Sequence, residues 1–190
     1  MPDLTGKKVA ILVADGFEQV EMTGPREALD GAGAETLIVS PKDDQVEGWN
    51  HYDKGDKFPV DVKLAEATAD NFDALLLPGG VANPDQLRMK PEAVNFVKAF
   101  VDSGKPIAVI CHGPWTLVEA DVVRGRTITS WPSVKTDLIN AGAEWVDEEC
   151  VVDNGLVSSR NPGDIPAFNK KMLEEFAEGS HTRGRGTSAG

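Results

Sequence analysis

Short apolar runs that alternate with amphipathic segments are the feature that most constrains the fold of this chain. The runs at 7–14, 35–41, 72–80 and 105–110 are rich in Val, Ile, Leu and Ala without a polar alternation. Such runs are typical of strands that are buried on both faces. Between them, apolar residues recur at helical spacing, as in 91–104, where a proline opens the segment and a glycine ends it. The pattern predicts a doubly wound α/β sandwich with a mostly parallel central sheet and helices on both faces.

Two further segments complete the predicted organisation. Residues 25–34 are predicted to form a helix with Pro25 in its first turn. Residues 43–64 are polar and rich in turn-forming residues, which indicates a small hairpin outside the main rhythm. We expect a single domain over 1–179. Apolar periodicity is lost after Ala177, so 180–190 is predicted to be a disordered C-terminal tail.

Length, charge and cysteine content exclude several classes of function. The 190 residues suit one domain, and the formal net charge of -12 disfavours a nucleic-acid surface or an anionic membrane as partner. No apolar run has the length of a membrane span, and the first one is too short for a signal peptide. With only Cys111 and Cys150, a disulfide framework is not expected, so we predict a reduced, cytoplasmic protein.

Three candidate features follow predicted strands and should meet at one edge of the sheet. They are residues 15–18 after the first strand, Gly79-Gly80 after the third, and Cys111-His112 after the fourth. In an open parallel sheet, ligands bind outside the carboxyl ends of the strands. Each feature alone is a weak signal, but their shared edge predicts one site.

Cys111 lies between a predicted strand and a predicted helix, where a sharp turn exposes a nucleophile. The N-terminus of the following helix should lower the pKa of the thiol. The alternative is a buried cysteine that acts as a small apolar residue. His112 could act as general base or stabilise the thiolate, and the alternative is an exposed histidine at a helix start.

Other residues near this edge are candidates for supporting roles. A partly desolvated Glu18 would have a raised pKa and could donate a proton to sulfur, although Glu21 competes for this role. The alternative for Glu18 is favourable placement at a helix N-terminus. The backbone at Gly79-Gly80 could bind an oxyanion or form a plain turn. Asp85 could orient His112, or it could cap a helix on a solvated loop.

The remaining cysteine, tryptophans and histidines have weaker functional signals. Cys150 has no histidine near it in sequence and is interpreted as structural. Trp115 and Trp131 are core or rim aromatics that could line the pocket. His51 lies in the hairpin and His181 in the tail, so the histidines and cysteines form no cluster with metal-ligand spacing. We therefore predict no metal site and no cofactor.

The motifs together resemble those of the ThiJ/PfpI superfamily, specifically its PfpI-type branch. The resemblance is carried by "AVICHGPW" and the residues after it to 164, by "GFEQVE" at 16–21, and by "LLLPGG" at 75–80. It extends from about Lys8 to about Ala177. The A-x-I-C-H-G motif alone is also similar to class I glutamine amidotransferases, which lack a glutamate after the first strand. The resemblance implies a flavodoxin-like fold.

The resemblance also implies roles for individual residues. Cys111 matches the family nucleophile, Glu18 the glutamate that hydrogen bonds its sulfur, and His112 the adjacent histidine. Asp85 matches an acid that a neighbouring subunit contributes to a Cys-His-acid triad in dimers or hexamers. Members known as proteases have glutamate there, so the aspartate is a departure. The backbone amides of Gly80 and His112 match the oxyanion-binding positions.

Family members are described as intracellular proteases, glyoxalases, protein deglycases and stress-linked chaperones. A thiolate adds readily to an aldehyde, and the resulting hemithioacetal needs only a proton shuttle. Peptide hydrolysis needs a well-oriented base and an open groove. The leading hypothesis is therefore a cysteine-dependent stress enzyme that acts on methylglyoxal, glyoxal or their adducts on protein and nucleotide groups. The alternatives are an intracellular cysteine peptidase, and a non-catalytic redox sensor or chaperone that uses an oxidisable Cys111.

Overall fold

The structure, a computed structural model, describes residues 1–181. Its strands are β1 (Lys8–Leu12), β2 (Phe17–Glu18), β3 (Glu35–Ser40), β4 (Gln45–Asn50), β5 (Asp53–Pro59), β6 (Val62–Lys63), β7 (Ala74–Leu77), β8 (Ile107–Ile110), β9 (Thr127–Ile128), β10 (Glu144–Trp145), β11 (Val151–Asp153) and β12 (Leu156–Ser159). Its α-helices are α1 (Gln19–Gly31), α2 (Ala82–Arg88), α3 (Pro91–Asp102), α4 (Pro114–Glu119), α5 (Lys135–Asn140) and α6 (Ile165–Glu178).

The central sheet has seven strands in the order β11-β12-β8-β7-β1-β3-β6. All neighbouring strands are parallel except β11, which pairs antiparallel with β12 at one edge. The order places β8, β7 and β1 side by side, so their carboxyl ends share one edge of the sheet. The predicted mostly parallel, flavodoxin-like sheet is confirmed.

Successive residues of each central strand point to opposite faces and build two separate cores. In β1, Ala10 and Leu12 belong to one core, which includes the buried face of α3. Val9 and Ile11 belong to the other core, which includes buried residues of α1 and α6. Both faces of the sheet are thus covered by helices. This arrangement explains why the strands are continuously apolar in sequence.

Helix α1 differs from the sequence prediction in its starting point. It begins at Gln19, and Pro25 lies inside it and is buried rather than in its first turn. Proline lacks an N–H group, so its preference for a first turn is real, but packing of α1 against the sheet extends the helix in the N-terminal direction. The consequence is that Glu21 lies in the first turn of α1.

The predicted hairpin is confirmed: β4 and β5 pair antiparallel, and β2 pairs with β4. This small sheet lies beside the loop that follows β1. Part of the predicted tail, 182–190, lies outside the described residues. Within 1–181, no helix combines the length and the apolar character that crossing a bilayer would require.

Candidate active site

The three predicted features meet at the carboxyl edge of β1, β7 and β8. Glu18 N donates to Gly79 O at 3.4 Å, which joins the loop after β1 to the loop after β7. A Cβ atom built on Gly79 would lie 2.7 Å from Cys111 Cβ, so the glycine pair contacts the cysteine directly. The prediction that these sequence-distant features lie together is confirmed.

Cys111 stands on a strained turn at the end of β8. Its φ is 62°, a left-handed conformation that is uncommon for residues other than glycine. The turn is fixed on both sides, because Cys111 N donates to Ser159 O at 3.0 Å and Trp131 N donates to Cys111 O at 3.0 Å. Strain that the surrounding hydrogen bonds maintain is typical of functional sites. The side chain is mostly enclosed, with 7% of the residue exposed.

The carboxyl group beside Cys111 belongs to Glu21, and the sequence preference for Glu18 is corrected here. Glu21 is fully buried. Its Oε1 accepts a hydrogen bond from Gly79 N at 3.1 Å, and its side chain interacts with that of Cys111. Oε2 is buried without a well-aligned hydrogen-bond partner among the described residues. Because the two side chains interact, a protonated Glu21 can act as a hydrogen-bond donor to Cys111.

Glu18 points to the neighbouring hairpin instead. Both of its carboxylate oxygens accept from His51 N, at 3.3 and 3.2 Å. The reason is local geometry: Glu18 is in the two-residue strand β2, which pairs with β4. Glu21, three residues later, occupies the first turn of α1 on the face toward the core. Glu18 still acts on the site, because its negative charge helps to raise the pKa of Glu21.

The protonation of Glu21 follows from its surroundings. Burial raises the pKa of Glu21 to about 8, and the charge of Glu18 makes a smaller contribution in the same direction. The N–H groups of Gly79 and Gly80 lower this pKa but do not outweigh burial. A carboxyl with this pKa is mainly protonated at neutral pH. It can therefore serve as a proton donor next to the sulfur.

Burial also raises the pKa of the Cys111 thiol, and an ionised Glu21 raises it further. The N–H groups of His112 and Gly80 lower it, as expected for the start of a helix, but they do not outweigh burial. The prediction of a lowered thiol pKa is therefore wrong, because a solvent-exposed sulfur was assumed. When Glu21 is protonated, the sulfur has a hydrogen-bond donor beside it rather than a negative charge.

His112 lies close to the sulfur. Its Nδ1 is 3.2 Å from Cys111 Sγ, and its Nε2 is 3.3 Å from Ser133 Oγ. The ring stacks on Trp131 and meets Trp115 edge-on, at centroid distances of 6.1 and 5.1 Å. Burial lowers the pKa of His112, so the ring is neutral at pH 7 and can accept the thiol proton. Ser133 was not predicted from the sequence.

Asp85 is exposed in the first turn of α2. Among the hydrogen bonds of the described chain, His112 has Cys111 and Ser133 as side-chain partners, not Asp85. Its contribution from a neighbouring subunit stays a prediction. Cys150 is half-buried next to β11, and its structural role also stays a prediction.

The loop after β7 requires both glycines. Gly80 has φ 76°, and a Cβ there would lie 2.5 Å from Gly16 O. A Cβ on Gly79 would lie 2.5 Å from Glu21 Oε1. This close packing lets the Gly80 amide reach the sulfur together with that of His112. The two predicted oxyanion-binding amides thus lie beside the same atom.

Buried Asn83, which was not predicted from the sequence, holds this loop. Its Oδ1 accepts from Ala14 N at 2.7 Å, and its Nδ2 donates to Pro78 O and Gly79 O, both at 3.1 Å. One side chain thus joins the ends of β1 and β7. Backbone carbonyls without sheet partners need such a donor, which is the only signal that could have indicated it.

Comparisons with known proteins identify the family to which this arrangement belongs. The sequence profile of the DJ-1/PfpI family matches residues 7–175. The chain belongs to this family. It is 46% identical over 172 residues to an uncharacterized protein of Staphylococcus epidermidis, covering 90% of this chain and 98% of the relative. It is 45% identical over 167 residues to a deglycase of Pyrococcus abyssi, covering 88% and 98%.

A third relative and two solved structures extend the comparison. The Bacillus subtilis protein YraA, whose name proposes cysteine protease activity, is 41% identical over 88% of this chain and 96% of its own. Drosophila melanogaster DJ-1beta superposes with a TM-score of 0.82 at 28% identity, over 90% of each chain. A two-domain Anabaena variabilis protein with DJ-1/ThiJ/PfpI-like and ferritin-like domains gives 0.85 at 34%, over 96% of this chain and 52% of that one.

Proposed function

We propose that this protein is a cysteine-dependent enzyme that converts reactive aldehydes such as methylglyoxal and glyoxal, or their adducts on amino groups, to hydroxy acids. The observation that carries the proposal is the buried contact between Cys111 and the protonated Glu21. This contact places a nucleophile, the Cys111 sulfur, next to a proton carrier, the Glu21 carboxyl group. The name of the Pyrococcus abyssi relative, a deglycase, supports the same chemistry. Because the proposal needs a free thiol, we place the activity in the cytoplasm.

The first half of the reaction forms a hemithioacetal from methylglyoxal. Cys111 Sγ forms a bond to the aldehyde carbon, and the thiol proton passes to His112 Nδ1, which is 3.2 Å away. The carbonyl electrons move to oxygen, which takes the proton of Glu21. The amides of Gly80 and His112 stabilise the developing oxyanion. Glu21 is now a carboxylate and His112 an imidazolium.

The second half moves a proton and releases the product. The Glu21 carboxylate removes the proton from the aldehyde carbon to give an enediol, while His112 protonates the ketone oxygen. Glu21 then protonates the ketone carbon, and His112 takes the hydroxyl proton, which leaves a thioester. Water attacks the thioester and gives a proton to Glu21. The C–S bond breaks, and sulfur takes the proton of His112, so methylglyoxal plus water has become lactic acid.

Burial of the sulfur favours small substrates over peptides. Cys111 is 7% exposed and is flanked by Glu21 and by His112 with its packed tryptophans. An aldehyde reaches such an atom more easily than an extended peptide does. Burial also disfavours the redox-sensor hypothesis, because a sensor thiol is exposed and has a low pKa.

The second candidate is a cysteine peptidase. It is favoured by the 3.2 Å approach of His112 Nδ1 to Cys111 Sγ and by the name of YraA. It requires an acid that orients His112, for which we propose Asp85 of a neighbouring subunit in a homodimer or hexamer. Cleavage of a fluorogenic peptide by the wild type but not by D85N would favour this candidate.

Lactate formation from methylglyoxal tests the leading proposal better than methylglyoxal disappearance, because amine buffers also consume aldehydes. We expect turnover by the wild type, none by C111S, and a loss of about 100-fold or more in E21Q, which lacks the transferable proton. The matched variant is E18Q, since Glu18 points to His51, and it should retain activity within about tenfold. Absence of lactate with the wild type, or equal loss in E18Q and E21Q, would contradict the proposal.

A further inference from the structure

A second cluster of potential ligand atoms lies at the C-terminal end of α6. Glu175 and Glu178 are three residues apart and share one face of the helix. Gly179, with φ 85°, reverses the chain direction, so that His181 folds back over the last helical turn. One carboxylate oxygen from each glutamate and one ring nitrogen of His181 all lie within 4.8 Å of one another.

The geometry of this Glu175/Glu178/His181 cluster fits a metal ion. His181 Nε2 is 3.1 Å from Glu175 Oε2 and 3.7 Å from Glu178 Oε2. Two ligands bound at about 2.0–2.1 Å to tetrahedral Zn²⁺ lie about 3.3 Å apart. The two separations from His181 Nε2 bracket this value, and all three ligand atoms lie within 4.8 Å of one another, so side-chain adjustment would bring them to one ion.

A second observation points to an absent ligand. Glu175 Oε2 and His181 Nε2 are both buried, and neither has a hydrogen-bond partner among the described residues. Their recorded contacts in the described chain are the ion pairs inside the cluster itself, at 3.1 and 3.7 Å. Buried polar atoms without partners are rare and often mark an ion or a water molecule. A metal ion would satisfy both atoms at once.

The charge of the surroundings also favours a cation. The two carboxylates lie in the last turns of α6, where the helix dipole is negative. The cluster is far from Cys111 in the fold, since α6 begins after the carboxyl end of β12 and ends near the start of β8. His181 N donates to Gly104 O at 2.7 Å, and a Cβ on Gly155 would lie 3.0 Å from the His181 ring. An ion there would fasten the chain after α6 to the opposite edge of the sheet.

We propose that Glu175, Glu178 and His181 form a binding site for a divalent transition metal of the zinc class. Two carboxylates and one imidazole supply three protein ligands and leave a fourth position for water. This differs from the sequence prediction of no metal site, which considered only histidines and cysteines and assigned His181 to the tail. The site is separate from the proposed catalytic residues.

The test is titration of full-length C111S with ZnCl₂ by calorimetry at neutral pH. The C111S background removes the active-site thiol, which is itself a zinc ligand. We expect one equivalent to bind, and Zn²⁺ to raise the melting temperature. Removing a residue that only hydrogen bonds to a metal ligand typically weakens metal binding by about 10–100-fold. E175Q and H181Q change the ligands themselves, so each should weaken Zn²⁺ binding at least about tenfold.

Two matched variants complete the experiment. E174Q removes a half-buried glutamate of the same helix, which pairs with Lys171, and H51Q removes an exposed histidine. Both should bind Zn²⁺ like the C111S parent. Circular dichroism without metal checks that every variant is folded. The proposal would be overturned if the C111S parent does not bind Zn²⁺, or if E175Q and H181Q bind it as tightly as the parent. The role of the cluster would then be a histidine–carboxylate ion pair.

Discussion

Replacing Glu21 with glutamine should remove the pH dependence that ionisation of Glu21 gives to the free energy of unfolding. The pKa of Glu21 is about 8 in the folded chain, against a model-compound value of 4.5. The folded state therefore holds a proton that the unfolded state releases between these values. Because the native state binds more protons between these pH values, the contribution of Glu21 to the free energy of unfolding is greatest below about pH 4.5. This contribution is lost as pH rises through about 8. The Gln side chain has nearly the same shape and does not ionise.

The magnitude follows from the shift. Each pKa unit corresponds to about 1.4 kcal/mol, and Glu21 is fully buried. A shift of about 3.5 units thus predicts that Glu21 ionisation costs the folded state on the order of 5 kcal/mol above pH 8. Relative to E21Q, the wild type should lose about 1.4 kcal/mol per pH unit within this window.

Urea unfolding from about pH 5 to about pH 8 measures this difference. The free energy of unfolding of E21Q minus that of the wild type should grow with pH by several kcal/mol. E27Q is the matched control, because Glu27 is an exposed residue of the same helix, and it should follow the wild type. A difference between E21Q and wild type that stays constant over this range would refute the assignment of a raised pKa to Glu21.

Three further substitutions test the packing around the site. N83L should destabilise the protein by about 2–4 kcal/mol in urea unfolding, because it leaves the N–H of Ala14 and the carbonyl of Pro78 without the hydrogen bonds that Asn83 makes to them; wild-type stability would contradict the role of Asn83. G79A should abolish lactate formation, since its Cβ would overlap Glu21 and Cys111, while G31A, whose Cβ would have no atom within 4 Å, should not; an active G79A would show that the loop tolerates displacement. D85N should lower kcat and shift the pH profile of kcat only if an oligomer brings Asp85 to His112. Light scattering and the pH profile are therefore measured on the same samples. An unchanged pH profile in an oligomeric protein would exclude Asp85 from the triad.

The order of strands and helices could be predicted because burial on both faces leaves a direct signal in composition. Parallel strands of this kind have continuous apolar runs, and the glycine pair and the Cys-His pair fall at their ends. That rule was sufficient to bring Gly79, Gly80 and Cys111 to one edge. It required no knowledge of side-chain conformation.

The choice between Glu18 and Glu21 could not be made in the same way. It depends on where α1 begins, and helix boundaries are set by packing as well as by local sequence. Pro25 favoured a late start, and the true start at Gln19 turns Glu21 toward Cys111 and leaves Glu18 in β2. Similarly, the thiol pKa depends on burial, which the sequence of the elbow does not encode.

Residues that act through tertiary contacts had no sequence signal. Asn83 accepts a hydrogen bond from Ala14, 69 residues away in sequence, and Ser133 contacts His112 from 21 residues away. His181 meets Glu175 only because the chain reverses at Gly179. The contribution of Asp85 from a neighbouring subunit stays a prediction.

NMR titration of ¹³C-labelled glutamate carboxyl groups tests directly whether Glu21 is the proton-carrying partner of Cys111. The wild type is titrated, and E21Q and E18Q are used to assign its resonances. We expect one carboxyl resonance with a midpoint near pH 8 that is absent in E21Q. In E18Q it should titrate at a lower pH, because the repulsion from Glu18 is removed. A Glu21 resonance that titrates near 4.5, its ordinary value, would contradict it.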